Sequence, residues 1–120
     1  MLKAKTKPQR RWGDALSKVN REGRCRVCGE RRDLEAAHII GREHDALLSG
    51  PRGGQYYYVH PDSIVPLCGA FTDNFCHGIY DAHNLDLLPF LTQDEQERAV
   101  HEARGVISML KRVSPMGGTW

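Results

Sequence analysis

Seven residues in this chain carry side chains that bind metals or move protons, at spacings that suggest they act together: Cys25, Cys28, His38, Cys68, Cys76, His77 and Asp81. Cys25 and Cys28 are separated by two residues and followed by Gly29, the usual first half of a structural zinc site. Cys68 and Cys76 are the only other cysteines in the chain, so they are the partners the first pair would need. A redox reading of the first pair lacks the strand–helix pattern of a thioredoxin-like fold around it. His77 and Asp81 are four residues apart, slightly more than one helical turn, and on a helix they share one face. An imidazole and a carboxylate converging this way make a divalent-metal site. The expectation is two separate metal jobs in one small domain.

At 120 residues the chain is read as one domain. A mean hydropathy of -0.53 and 12 glycines point to a modest core. A zinc cross-link would then matter, because in small zinc modules the metal contributes about 10–16 kcal/mol of apparent folding free energy. The start of the chain, MLKAKTKPQRR, is basic and lacks the apolar region of a secretory signal. No apolar stretch approaches the ~18 residues of a membrane span. The expected compartment is therefore the cytoplasm, where thiols stay reduced and four cysteines read as metal ligands rather than two disulfides. Charge is uneven: residues 1–26 hold nine Lys/Arg against Asp14 and Glu22, a balance of +7, so the rest sums to -5. That asymmetry suggests an arm for a polyanion joined to an acidic, metal-attracting body; a solvated tail that aids solubility is the competing reading.

The elements that must position these groups follow in order. Residues 1–11 are expected to lack structure of their own. Residues 12–19 read as a short helix with Trp12, Leu16 and Val19 on one side, and Trp12 packed on the body. Residues 34–42 read as a strand ending at Gly41 and bearing His38. An isolated histidine there reads as a hydrogen-bonded structural residue, but ten residues after Cys28, inside a zinc frame, it becomes a candidate catalyst. Residues 41–62 form a long glycine-rich connection carrying Arg42, His44, Arg52 and His60, with a short strand at 56–59. Residues 64–67 are expected to pair antiparallel with 35–40, at an edge because of Pro66. A helix should run from Cys76 to about Asn84. Thr92 and Glu95 have the form of a capping box. It opens one long helix to Val113, whose stripe is Ala99, Ala103, Val106, Ile107, Leu110 and Val113. The expected layout is a basic arm and short helix over 1–24, a metal-bearing core over 25–90, and a C-terminal helix and tail over 91–120.

Taken together, the segments CRVCG, LEAAHIIGR, DSIVPLC and CHGIYD resemble the HNH endonucleases of the His-Me finger group, particularly small phage-encoded ones with a zinc knuckle. The likeness runs from Cys25 to about His83, roughly half the chain. It implies an α+β fold: a small zinc-stabilised ββα-metal core with flanking helices and the long C-terminal helix. It also implies roles. His38 matches the general base that activates water, His77 a metal ligand, and Asp81 a second helical ligand. Cys25, Cys28, Cys68 and Cys76 match the structural zinc set. Three departures stand out. Ala37 occupies the place of the ligand that usually precedes the base, which Asp81, His60, Asp62 or water would have to replace. Ser63 stands where the family carries a central Asn, and is the residue expected in its catalytic orienting role. Seven residues separate Cys68 from Cys76 where two are usual.

The implied activity is metal-dependent hydrolysis of DNA phosphodiesters to 5′-phosphate and 3′-hydroxyl ends, largely tolerant of sequence. The catalytic ion would be Mg²⁺ or Mn²⁺, with Ni²⁺ or Zn²⁺ tolerated. Lys3, Lys5, Lys7, Arg10, Arg11 and Arg42 are the expected DNA contacts. Phage-encoded relatives often work beside terminase during genome packaging, so terminase is an implied partner. Two alternatives keep the DNA and change the chemistry: a nuclease selective for branched DNA, and a zinc-stabilised DNA-binding module without catalysis. Ala37 and Ser63 favour the latter. A third, an adaptor docking through the 92–113 helix, rests on that helix alone.

Overall fold

A computed structural model describes residues 8–104 and 107–115, except the side chains of Ile107 and Met109. The described residues form a small α+β structure with four helices and two sheets. The first sheet is an antiparallel pair, β2 (Leu34–His38) and β5 (Ile64–Cys68), registered from Leu34 opposite Cys68 to His38 opposite Ile64. β5 is buried along its whole length, as its continuous apolar run requires. Pro66 has no N–H to give, yet its carbonyl accepts from the Arg26 N–H at 2.9 Å, tying the Cys25–Cys28 knuckle to the strand. The expected strand over 34–42 stops at His38, and Ile39 continues only through one bond to the Ser63 carbonyl. A short helix, α2 (Cys76–Asp81), follows β5 and packs on it. It ends three residues before the expected Asn84.

Side chains on this sheet divide between two clusters. Ala37, Val65 and Leu67 join the main core with Ile39, Tyr80 of α2, Leu87 and Val113. Ile64 joins a smaller one with Val59 and the buried Ala15 and Val19 of α1 (Gly13–Glu22). Leu16, expected on the buried side of that helix, is exposed, because a helix packed through Ala15 and Val19 turns position 16 outward.

The second sheet was not expected in this form. β3 (Ala46–Ser49) and β4 (Gln55–Tyr58) make a hairpin, and β1 (Gln9–Arg11) pairs in parallel with β4. Residues 9–11 therefore have structure where none was expected. Their backbone ladder is supported by stacking, with the Arg10 guanidinium 5.0 Å from the Tyr57 ring centre and Arg11 3.9 Å from that of Tyr56. Lys3, Lys5 and Lys7 lie outside the described residues.

The long C-terminal helix is two helices, α3 (Gln93–Ala103) and α4 (Ile107–Val113). Arg104 adopts a left-handed conformation (φ 50°) and its N–H bonds back to Val100 and His101, closing α3. Gly105 is the residue that follows in the sequence, and glycine costs about 1 kcal/mol in a helix interior. Of the expected stripe, Ala99, Ala103 and Val113 are buried and Leu110 is half-buried. Val106 lies outside the described residues, as does the Ile107 side chain. No helix among the described residues is long and apolar enough to cross a membrane.

Glu95 ties these parts together. The capping box is formed, with Thr92 accepting from the Glu95 N–H and the Glu95 carboxylate accepting from the Thr92 N–H. The same buried carboxylate accepts from Arg26 within the knuckle and from Lys18 of α1. Lys18 also donates to the carbonyls of Pro61 and Ile64, where β5 begins. Burial pushes the Glu95 carboxyl up, but the hydrogen bonds from Arg26, Lys18 and Thr92 outweigh it and hold it below the usual glutamate value. Glu95→Ala should cost about 3–5 kcal/mol at neutral pH, the usual effect of removing one partner of a buried pair. Because the folded carboxyl titrates below its unfolded value of about 4.3, its contribution is full above that pH and fades as pH falls further. Urea melts of both proteins across pH 3–7 should show a gap that is widest at neutral pH and narrows below about 4.

Candidate metal centre and catalytic pocket

The four cysteines converge. Their sulfurs lie within 4.8 Å of one another, and all four are free thiols. Cys28 Sγ is 3.7 Å from Cys68 Sγ. Four sulfurs at bonds of about 2.3 Å around a tetrahedral ion stand about 3.8 Å apart, so the spacing fits a structural metal such as zinc. The first pair is shaped by a turn in which the Gly29 N–H reaches back to the Cys25 carbonyl, and Gly29 sits at φ 80°, a conformation suited to glycine.

The long Cys68–Cys76 spacing is absorbed by a folded loop. Thr72 donates through both its N–H and its hydroxyl to the Gly69 carbonyl, and its hydroxyl accepts from the Phe75 N–H. The Phe71 N–H donates to Asp33, and the Cys76 N–H points at the Cys68 sulfur. The set is also primed electrically. Burial pushes the Cys28 thiol up, but hydrogen bonds from Asn74, the Glu30 backbone and the neighbouring thiols outweigh it and bring Cys28 down to about 7. Cys76 is pushed up by burial and by its three sulfur neighbours.

His38, His77 and Asp81 line one cavity of ≈ 420 Å³, with Trp12, Arg42 and Glu43 on its walls. Strand β2 supplies His38, and α2, whose first residue is Cys76, supplies the other two. His77 Nε2 is 3.5 Å from Asp81 Oδ2, and its Nδ1 is 2.9 Å from Glu35 Oε1. Arg112 donates to the other Asp81 oxygen at 3.0 Å. Neighbouring donors in an octahedral shell with bonds of 2.0–2.1 Å stand about 3 Å apart, so His77 and Asp81 are close to the spacing of two ligands to one hard ion that keeps its waters. Among the described residues, only the four cysteines bring three or more metal-binding side chains within 4.8 Å.

Other expected residues stand elsewhere. His60 does not line this cavity: its Nδ1 accepts from the Asp62 N–H, and its ring meets Tyr58 edge-on. Ser63 is buried, its hydroxyl accepting from Arg98 at 3.2 Å while its carbonyl holds Ile39. Ala37 faces the main core, on the sheet face opposite His38. Arg42 is exposed at the cavity, and Arg10 and Arg11 lie on β1.

Asp45, Glu35 and Arg112 stand at the site although no motif marks them. Glu35 carries no signal of its own, since alternation puts it on the core face of Ala37, yet it stays exposed and meets His77. Asp45, whose carboxylate meets His38, had none beyond its place in a polar turn. No protein family, curated protein or solved structure matches this chain.

A metal at the four cysteines would contribute about as much as the whole stability of a typical domain, 5–15 kcal/mol. The purified protein should carry one zinc per chain by elemental analysis, and chelation should abolish its cooperative melt in circular dichroism. Cys76→Ser should bind zinc far more weakly. A chelated protein that melts as the loaded one does would remove the structural role.

Proposed function

We propose that the chain is a metal-dependent DNA endonuclease of the HNH kind. One observation carries the reading: a histidine from an antiparallel strand pair and a His–Asp pair from the following helix share a cavity, beside a four-cysteine cluster that joins both elements. A binding module needs none of that convergence.

His38 suits the part of general base. Burial pushes its imidazole below the ordinary histidine value, more than the Asp45 carboxylate raises it, so the ring is neutral at pH 7 and free to take a proton. His77 and Asp81 would hold a divalent ion, which would supply Lewis-acid stabilisation of a phosphate oxygen. The surroundings suit a polyanion. Arg42 is exposed at the catalytic cavity. A second cavity of ≈ 450 Å³ has Arg11, stacked on Tyr56, and Arg52 among its lining and no acidic side chain. Tolerance of sequence follows, because these groups address phosphates and ring faces rather than base edges.

Two observations favour a second reading, a zinc-stabilised DNA-binding module: Ala37 is packed in the core, and Asp81 is already paired with Arg112. A supercoiled-plasmid assay at low salt, in EDTA, Mg²⁺ and Mn²⁺, separates the two. The nuclease reading expects metal-dependent nicking that falls about 10²–10⁴-fold in His38→Ala while DNA affinity holds. DNA binding without nicking under any metal would favour the module.

A further inference from the structure

Asp45 lies in the turn after Arg42, outside every segment that carries the catalytic residues. Its side chain is 1% exposed, an unusual place for a carboxylate, and it has two charged or chargeable neighbours. Arg10 Nε donates to Oδ2 at 2.9 Å, while His38 Nε2 lies 3.1 Å from Oδ2 and 3.2 Å from Oδ1. An ionised carboxylate only accepts. A neutral His38 facing it must therefore carry its ring proton on Nε2, which leaves the lone pair on Nδ1. Trp12 meets the same ring edge-on at 5.3 Å between centres and restricts its rotation.

We infer that Asp45 is a positioning residue: it fixes the Nε2–H tautomer of His38 and so selects Nδ1 as the nitrogen that takes the proton from water, with Arg10 of β1 fixing Asp45 in turn. The inference rests on the reading of His38 as the base of a nuclease. In the step itself, a water O–H bond breaks and an Nδ1–H bond forms. The electron pair left on that oxygen forms the new P–O bond as the P–O3′ bond breaks, the 3′ oxygen leaves with its electron pair and takes a proton from solvent water, and the imidazolium is stabilised by the Asp45 charge. Arg10 then belongs to the orienting machinery, and β1 does more than meet DNA.

The arrangement makes a sharp forecast for Asp45→Asn. The amide has one oxygen, and Arg10, which can only donate, claims it. The amide NH₂ is left facing His38, whose Nε2 must now accept, so the ring proton moves to Nδ1. Long-range ¹H–¹⁵N correlation spectra of the full, zinc-loaded chain read the tautomer directly, with His38→Gln assigning the signal. Wild type should show Nε2–H and Asp45→Asn should show Nδ1–H. Single-turnover plasmid nicking should fall about 10²–10⁴-fold in the variant, with DNA affinity unchanged. A wild-type proton on Nδ1 would overturn the inference, and that spectrum needs no variant to fold. An Asp45→Asn protein that keeps Nε2–H and nicks normally would overturn it too. If neither protein nicks DNA, the nuclease reading fails, and the two spectra alone decide whether Asp45 sets the tautomer.

Discussion

Four thiol sulfurs within 4.8 Å of one another are a poor hydrophobic cluster and, once ionised, a repulsive one. A cation among them would turn that repulsion into the strongest constraint in the chain. Its effects run outward through the backbone. The knuckle is bonded to Pro66, Cys68 closes β5 opposite Leu34, and Cys76 is the first residue of α2. With those three points tied, the register of β2 sets where His38 emerges, and the start of α2 sets where His77 and Asp81 emerge. The six-residue helix has no side-chain cap of its own, so its position depends on this anchor rather than on helix propensity.

Two further ties, built from charge, hold elements that the cysteines do not reach. Glu95 gathers Lys18 and Arg26, and through them α1, the knuckle and the beginning of β5. Asp45 gathers Arg10 and His38, and through them β1 and β2. Each tie places a buried carboxylate between basic groups from distant parts of the chain. That answers the desolvation cost of burying charge and ties distant segments of the chain to one another. The basic N-terminal region is thus divided: Arg10 is spent inside the fold, while Arg11 faces the cavity that carries Arg52.

What the sequence makes legible is what local chemistry decides. The CxxCG knuckle, the continuous apolar run of β5 and the Thr92–Glu95 capping box each carry their own signal. All three appear in the structure at the expected residues, to within one position for β5. The β3–β4 hairpin was hidden because Ala46–Ser49 is exposed throughout and has no alternation to read. β1 was hidden because its partner lies more than 40 residues on, and a basic tripeptide has no apolar face. The break at Arg104 was masked by an apolar period that continues from Ala99 to Val113 across it. Asp45 was invisible for a deeper reason: its role comes from three segments meeting, and no spacing rule links His38, Asp45 and Arg10.

A nuclease of the proposed design must hold two metals with different jobs in one small domain. The direct measurement is Mn²⁺ titration followed by electron paramagnetic resonance, with zinc counted on the same samples, for wild type and His77→Ala. Wild type should bind one Mn²⁺ per chain beside one zinc, and His77→Ala should lose the Mn²⁺ and retain the zinc. Wild-type protein that holds its zinc and binds no Mn²⁺, or Mn²⁺ binding indifferent to His77, would contradict that design.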